Sequence, residues 1–427
     1  MRQITYFAMA SSVAISLYGQ PPGTGPRDPG PRTGPTQAGK PIAGMTAGEL
    51  QYFQQGLDAF SETDEVANGL GPRFNLDSCK GCHAQPAVGG SSPAQNPQVP
   101  LANKLGAINR IPPFIRPDGP AFAVRFKQNP DGSPDGGVHN LFVITGRSDT
   151  PADCNIQQED FSRFQNLSLR IPTPTFGLGL IESISDDTLR ANLAANANRR
   201  GAFGIGGRFN TNGNDGTITR FGWKAQNKSL LIFAGEAYNV EVGITNEVFP
   251  NERETAKACM SKVSPEDHSD LGTGEYSDVQ KFAFFMRYLD GPPPAAGNPS
   301  TERGRALFDT TGCTTCHTPT LTTYNVYSKS LSQQNVNLYS DLAIHRMGVG
   351  LADGVSQGGA QSADWRTAPL WGLGERLFLM HDGRSHDVVD AIRQHDSTGS
   401  EARIVIRNFN MLRPEQQQDL VNFLRSL

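Results

Sequence analysis

Two short stretches constrain this chain more than any other: Cys79-Lys80-Gly81-Cys82-His83 and Cys313-Thr314-Thr315-Cys316-His317. Each reads CxxCH. Two thiols three positions apart can form thioethers to both vinyl groups of one haem, and the adjacent histidine then ligates the iron from the proximal side. With six cysteines and eight histidines among 427 residues, a chance match is expected only about 0.0016 times per chain. The competing reading, a zinc site assembled from the CxxC pairs, leaves the histidine after each pair unexplained. The expectation is therefore two covalently bound haem c groups, one at Cys79–His83 and one at Cys313–His317.

The other two cysteines, Cys154 and Cys259, are an even pair. In an oxidising compartment they are expected to form a disulfide, with two buried free thiols as the alternative. The bond would close a loop of about 105 residues, for which chain entropy gives ~4.7 kcal/mol. The N-terminus points to such a compartment. Arg2, the mostly apolar and small run Ile4 to Leu17, and the small-x-small site Ala14-Ile15-Ser16 read as an export signal over residues 1–19. The mature protein is then periplasmic or otherwise exported. No other segment approaches the ~20 apolar residues of a membrane span. A net charge of -4 with scattered lysines and arginines gives no reason to expect nucleic acid.

The expected fold is mainly α: two cytochrome c-like haem domains, the first carrying a β/loop insertion. Residues 20–45 are Pro/Gly-rich with little to bury, and read as a disordered linker. The N-terminal haem domain spans 46–291. Thr46 and Glu49 form a capping box, and Leu50, Phe53, Leu57 and Phe60 follow at helical spacing. From Leu101 to about Phe249, short apolar runs alternate with turns such as NPDGSPDGG, which predicts hairpins and loops. Ser277 to Leu289 returns to helix, and GPPPAAGNP breaks the chain. The C-terminal haem domain, 296–427, opens with a helix through Arg305–Phe308 and closes with one begun by Pro414.

The irons need further ligands, and six histidines remain, with Met347 and Met380 as alternatives. A helix over Asp387–His395 puts His395 on the buried stripe with Val388, Ala391 and Ile392. That makes His395 the candidate second ligand of the C-terminal haem.

Longer motifs carry a resemblance. The segments SDLAIHRMG at 340–348, WRTAPLWGLG at 365–374 and HDGR at 381–384, with the earlier GLGPRFNLDSCKGCHAQPAVGG and FGWKAQNKSL, resemble a di-haem oxidoreductase family also labelled thiol oxidoreductase. More distantly, it is similar to bacterial di-haem cytochrome c peroxidases and to the enzyme that matures tryptophan-derived cofactors. In those relatives an AVxxM-like helix ligates the C-terminal haem, and AIRQH here brings His395 to that slot. Histidine in place of methionine lowers the reduction potential. The resemblance also implies that Trp223 relays electrons between the haems and that Glu241, in NVEVG, is the acid–base group. Val242 and Phe233 depart from the peroxidase pattern around it. His139 takes the distal position at the N-terminal haem, or that iron is left open to substrate; between a glycine pair and an apolar run, His139 equally reads as a strand-edge residue.

The implied function is a peroxidase-type oxidoreductase that passes electrons from the C-terminal to the N-terminal haem and reduces peroxide or a related oxidant. Its redox partner would be a small cytochrome or cupredoxin, and a calcium ion between the lobes is compatible with it. The alternatives are a non-catalytic electron-transfer cytochrome and an oxidase of a partner protein's side chain.

Overall fold

The computed structural model describes residues 25–427. The expected export signal and the first residues of the expected linker lie outside the described residues. The fold is helix-rich, with four small sheets among the described residues.

Two helix pairs frame it. The Ala47–Ser61 helix starts at the Thr46–Glu49 capping box and packs on the Asp278–Tyr288 helix, itself capped by Ser277. The Pro299–Thr310 helix, capped by Asn298, packs on the Pro414–Ser426 helix in the same way. In each pair one glycine sets the approach. A Cβ at Gly56 would collide with the Lys281 carbonyl, and one at Gly304 with the Asp419 carbonyl. Glycine is required there because backbone meets backbone. Four residues after each glycine, one helical turn on, comes a phenylalanine. Phe60 packs against the His83 ring at 5.9 Å and Phe308 against His317 at 6.0 Å.

The hydrophobic core has two main clusters, with a small third one of Ala225, Ile344 and Ala360. The larger cluster runs from Ile42 to Leu289 and also takes in Leu321, Leu331, Val336, Leu338, Leu342 and Trp371. The smaller one gathers Phe308, Val388, Phe409, Leu420, Phe423, Leu424 and Leu427. A loop from beyond the Pro-rich break thus completes the first core.

Two expectations need correcting. Residues 25–45 are not a disordered linker. Asp28 forms an ion pair with Arg425 at 2.6 Å, both side chains 3% exposed. Arg32 donates to the carbonyls of Gly374 and Ser426, and Thr36 to Glu375. Polar contacts anchor this strap to the C-terminal helix, while Ile42 enters the larger core with Ala38 and Met45 packed beside it, so a composition poor in apolar residues conceals it. The region after Leu101 is also more helical than expected, with helices at Leu178–Glu182, Asp186–Ala195, Ala197–Phe203 and Leu230–Ala237. Ser185 and Ser229 cap two of them.

The sheet content is a three-stranded antiparallel sheet, Val138–His139 beside Ala123–Phe126 beside Leu167–Arg170, and three two-stranded ladders. One ladder pairs Ile344–Arg346 with Asp364–Arg366. Cys154 and Cys259 are joined in a disulfide. No helix among the described residues is long and apolar enough to cross a membrane.

Candidate functional site

Each CxxCH lies beside its own cavity. Cys79, Cys82 and His83 line the first, with Glu241, Trp223, Phe122, Phe282 and Met286. Cys313, Cys316, His317 and His395 line the second, with Trp223, Val388, Ile392, Phe409 and Leu424. The cysteine pairs sit in different cavities, so they do not assemble one zinc site. Among the described residues, no group of three or more His, Cys, Asp or Glu side chains is placed to hold a metal ion.

The histidines sort by their partners. His83 bonds through Nδ1 to the Gly90 carbonyl at 3.0 Å, and His317 through Nδ1 to the Tyr339 carbonyl at 2.9 Å. Such a bond fixes the tautomer and leaves Nε2 as the nitrogen available to a metal. Burial pushes both rings down to about 4, so they are neutral near pH 7, as ligands must be. His395 caps the Val388–Gln394 helix at its C-terminus. Its Nδ1 bonds the Ala391 carbonyl at 2.7 Å, and burial lowers its pKa. Two thiols, a neutral imidazole and largely apolar walls fit a haem in each cavity.

His345 also borders the second cavity but is occupied otherwise. Its Nε2 meets Asp341 at 3.0 Å and its Nδ1 meets Glu401 at 2.9 Å. Burial opposes its charge, yet Asp341 and its other neighbours raise its pKa well above the usual value. A charged ring with both nitrogens engaged has no lone pair for iron. Met347, Met380 and His381 line the same cavity, and His381 stacks on Trp365 at 3.8 Å.

His139 is a correction. It lies outside the wall of the first cavity. Its ring stacks on Phe126 at 3.8 Å, Nδ1 meets Glu159 at 2.7 Å and Nε2 meets Asp135 at 2.9 Å. Strand register is the reason. His139 pairs with Val124, whereas Ala123 and Arg125 line the cavity. Alternation along a strand sends Val124 and its partner to the other face.

Glu241 is set in the wall of the first cavity, on a single wide turn of π-helix over Tyr238–Val242 that continues the Leu230–Ala237 helix. Its carboxylate accepts a hydrogen bond from the Asn75 side-chain amide at 2.9 Å. Burial raises its pKa, against the opposing effects of Asn75, Arg125 and Arg253. Gln226 lines the same cavity, and its Oε1 is buried with no hydrogen-bond partner. Neither Asn75 nor Gln226 stood out in the sequence, because only the fold brings them beside Cys82.

Trp223 lies in the wall of both cavities, as does Ile171. Its indole N–H donates to the Ile171 carbonyl at 2.9 Å, which fixes the ring between the two sites.

No curated protein matches the chain. Among solved structures, one from Kuenenia stuttgartiensis, described as hydrazine synthase pressurized with 20 bar xenon, is similar over 96% of this chain and 100% of that one, at 14% identity and a TM-score of 0.37. A likeness that slight carries no argument. A family model described as "Di-haem oxidoreductase, putative peroxidase" matches residues 126–427. That span takes in Trp223, Glu241, the second CxxCH and His395, while the first CxxCH precedes it. The match covers well over half of the chain, which therefore belongs to the di-haem oxidoreductase family.

Proposed function

We propose that the chain is an exported, periplasmic oxidoreductase of peroxidase type, built from two cytochrome c-like lobes that each attach one haem c. Cys79 and Cys82 carry the thioethers of one, Cys313 and Cys316 those of the other, and His83 and His317 are the proximal ligands. When bound, the haems supply the redox chemistry, holding electrons at iron and delivering them to peroxide or a related oxidant.

The residues divide the remaining work. His395 offers its Nε2 to the second site and keeps that site for electron entry from a small cytochrome or cupredoxin. Trp223 provides the path between the sites. Among the described residues, His83 is the one histidine in the wall of the first cavity, and Glu241 lines the same cavity. Breaking a peroxide O–O bond takes two electrons and two protons and leaves both oxygens as water. Glu241 donates a proton to the departing oxygen, and Asn75 positions its carboxyl. The observation that carries this reading is Trp223 in the wall of both cavities, because it gives two separate sites one shared aromatic neighbour.

The test is peroxide-dependent oxidation of reduced small cytochromes, with the spin state of both irons followed in the half-reduced protein. Turnover with one high-spin iron is expected. No turnover with both irons low-spin in every state would leave an electron carrier instead.

A further inference from the structure

Buried cations in this protein are matched by carboxylates almost throughout. Arg147 meets Asp149, Arg170 and Lys224 meet Asp353, Arg220 meets Asp186, and Arg425 meets Asp28. Arg125 has no ion pair but shares the wall of the first cavity with Glu236 and Glu241. The second cavity breaks the pattern. Arg366, 9% exposed, and the half-buried Arg376 both line it, and neither forms an ion pair among the described residues.

Their hydrogen bonds leave donors over. Arg366 donates through Nε to the Gly222 carbonyl at 3.0 Å, while its Nη1 is buried with no partner. Arg376 gives one bond, from Nη2 to the Pro369 carbonyl at 3.3 Å. Burial, and for Arg366 the like charge of Arg376, pushes both guanidinium groups down to about 10. The other titratable groups on that wall do not supply the missing charge. Glu401 is taken by His345, and His317, His381 and His395 carry no negative charge. The wall therefore presents two guanidinium groups with spare donors and no protein carboxylate to meet them, which leaves room for a ligand carrying two negative charges.

We propose that Arg366 and Arg376 hold the two propionate carboxylates of the haem attached at Cys313–His317. The proposal rests on the haem reading above. The guanidinium fork suits a carboxylate, offering two parallel N–H donors where a lysine offers a point charge. The placement has a consequence for the relay. The Arg366 backbone N–H donates to the Trp223 carbonyl at 3.1 Å, next to the Gly222 bond made by its side chain. Arg366 therefore ties the carboxylate end of that haem to the turn that carries Trp223, and is a positioning residue for it.

The test compares the holoprotein with Arg366→Gln, Arg376→Gln and the double variant, by potentiometric titration from pH 5 to 8. The C-terminal haem is identified by its loss in Cys313→Ala/Cys316→Ala. Guanidinium-bound propionates stay ionised across this range, so the wild-type midpoint should be nearly flat. Without the arginines the desolvated carboxylates take up protons as the iron is reduced. The double variant's midpoint should then fall with rising pH, towards a limit of tenfold in the oxidised-to-reduced ratio per pH unit, or about 59 mV for one electron. A flat midpoint in a double variant that retains both haems would overturn the proposal. A wild type lacking two attached haems would instead overturn the haem reading. If the double variant does not fold, the crystal structure of the wild-type holoprotein decides. Propionates within ~2.9 Å of both guanidinium groups support the proposal, and propionates turned to solvent overturn it.

Discussion

Replacing Glu241 by Gln isolates the proton step. The amide keeps the size and polarity of the carboxyl and can still pack beside Asn75, but it cannot deliver a proton. A positioned acid–base group is worth ~10²–10⁴ in rate, so turnover should fall by that factor, which is about 2.7–5.4 kcal/mol of barrier. The pH profile sharpens the test. Burial holds the Glu241 pKa above the ordinary glutamate value, so more of it is protonated at a given pH than an exposed glutamate would be. The acid acts when protonated, so wild-type turnover should decline as pH rises through that raised pKa, and Glu241→Gln should lack this limb. Asn75→Leu removes the hydrogen bond that stabilises the carboxylate, which should move the limb to still higher pH. The assay is steady-state peroxide turnover against pH, with both haem spectra and peroxide binding recorded for each variant. Wild-type rates in Glu241→Gln, or a limb that survives the substitution unchanged, would refute the reasoning.

Other expectations follow from the same geometry. His395→Ala should convert the C-terminal haem to high spin, and His395→Met should keep it low-spin with a raised potential; an unchanged spectrum in the alanine variant would pass the role to Met347, Met380 or His381. Trp223→Phe should slow electron transfer between the sites, followed by stopped-flow reoxidation of the half-reduced protein, while each haem spectrum stays intact. Asp28→Asn leaves Arg425 buried without its carboxylate and should cost about 3 kcal/mol in denaturant unfolding, the lower end of such effects because the Leu373 and Arg376 carbonyls still hold the guanidinium. For Asp28 itself, burial raises the pKa, but Arg425, Val388 N–H and Gly30 N–H together bring it below 3.8. Its contribution is therefore complete above the unfolded value and lost as pH falls through the folded one, and the variant should lose that acid-side dependence.

What the sequence disclosed was local chemistry. The CxxCH pairs need only neighbours three and four positions away, and the helix ends at Thr46, Ser277 and Pro414 carry their own capping signals. His395 was legible because its helix is amphipathic and short. The rest depended on contacts between distant segments. GLDAF at 56–60 and GRALF at 304–308 share a glycine and a phenylalanine four apart, and each stands ahead of a CxxCH, yet the reason for the glycine is a backbone crossing that only the folded helix pair provides. His139 missed the cavity by one step of strand register. The strap at 25–45 is poor in apolar residues, and its anchors Asp28, Arg32 and Thr36 find partners more than 300 residues away. Asn75 reaches Glu241 across 166 positions, a distance that no spacing rule covers.

Two haems joined to one chain by thioethers is the claim on which everything else depends, and the mass of the denatured protein tests it most directly. Thioether bonds survive unfolding, so acid–acetone should extract no haem, and the intact chain should weigh the polypeptide plus two haems. Cys79→Ala/Cys82→Ala should remove one, and Cys313→Ala/Cys316→Ala the other. A wild-type chain that gives up both haems to acid–acetone and returns to the mass of the bare polypeptide would contradict the claim.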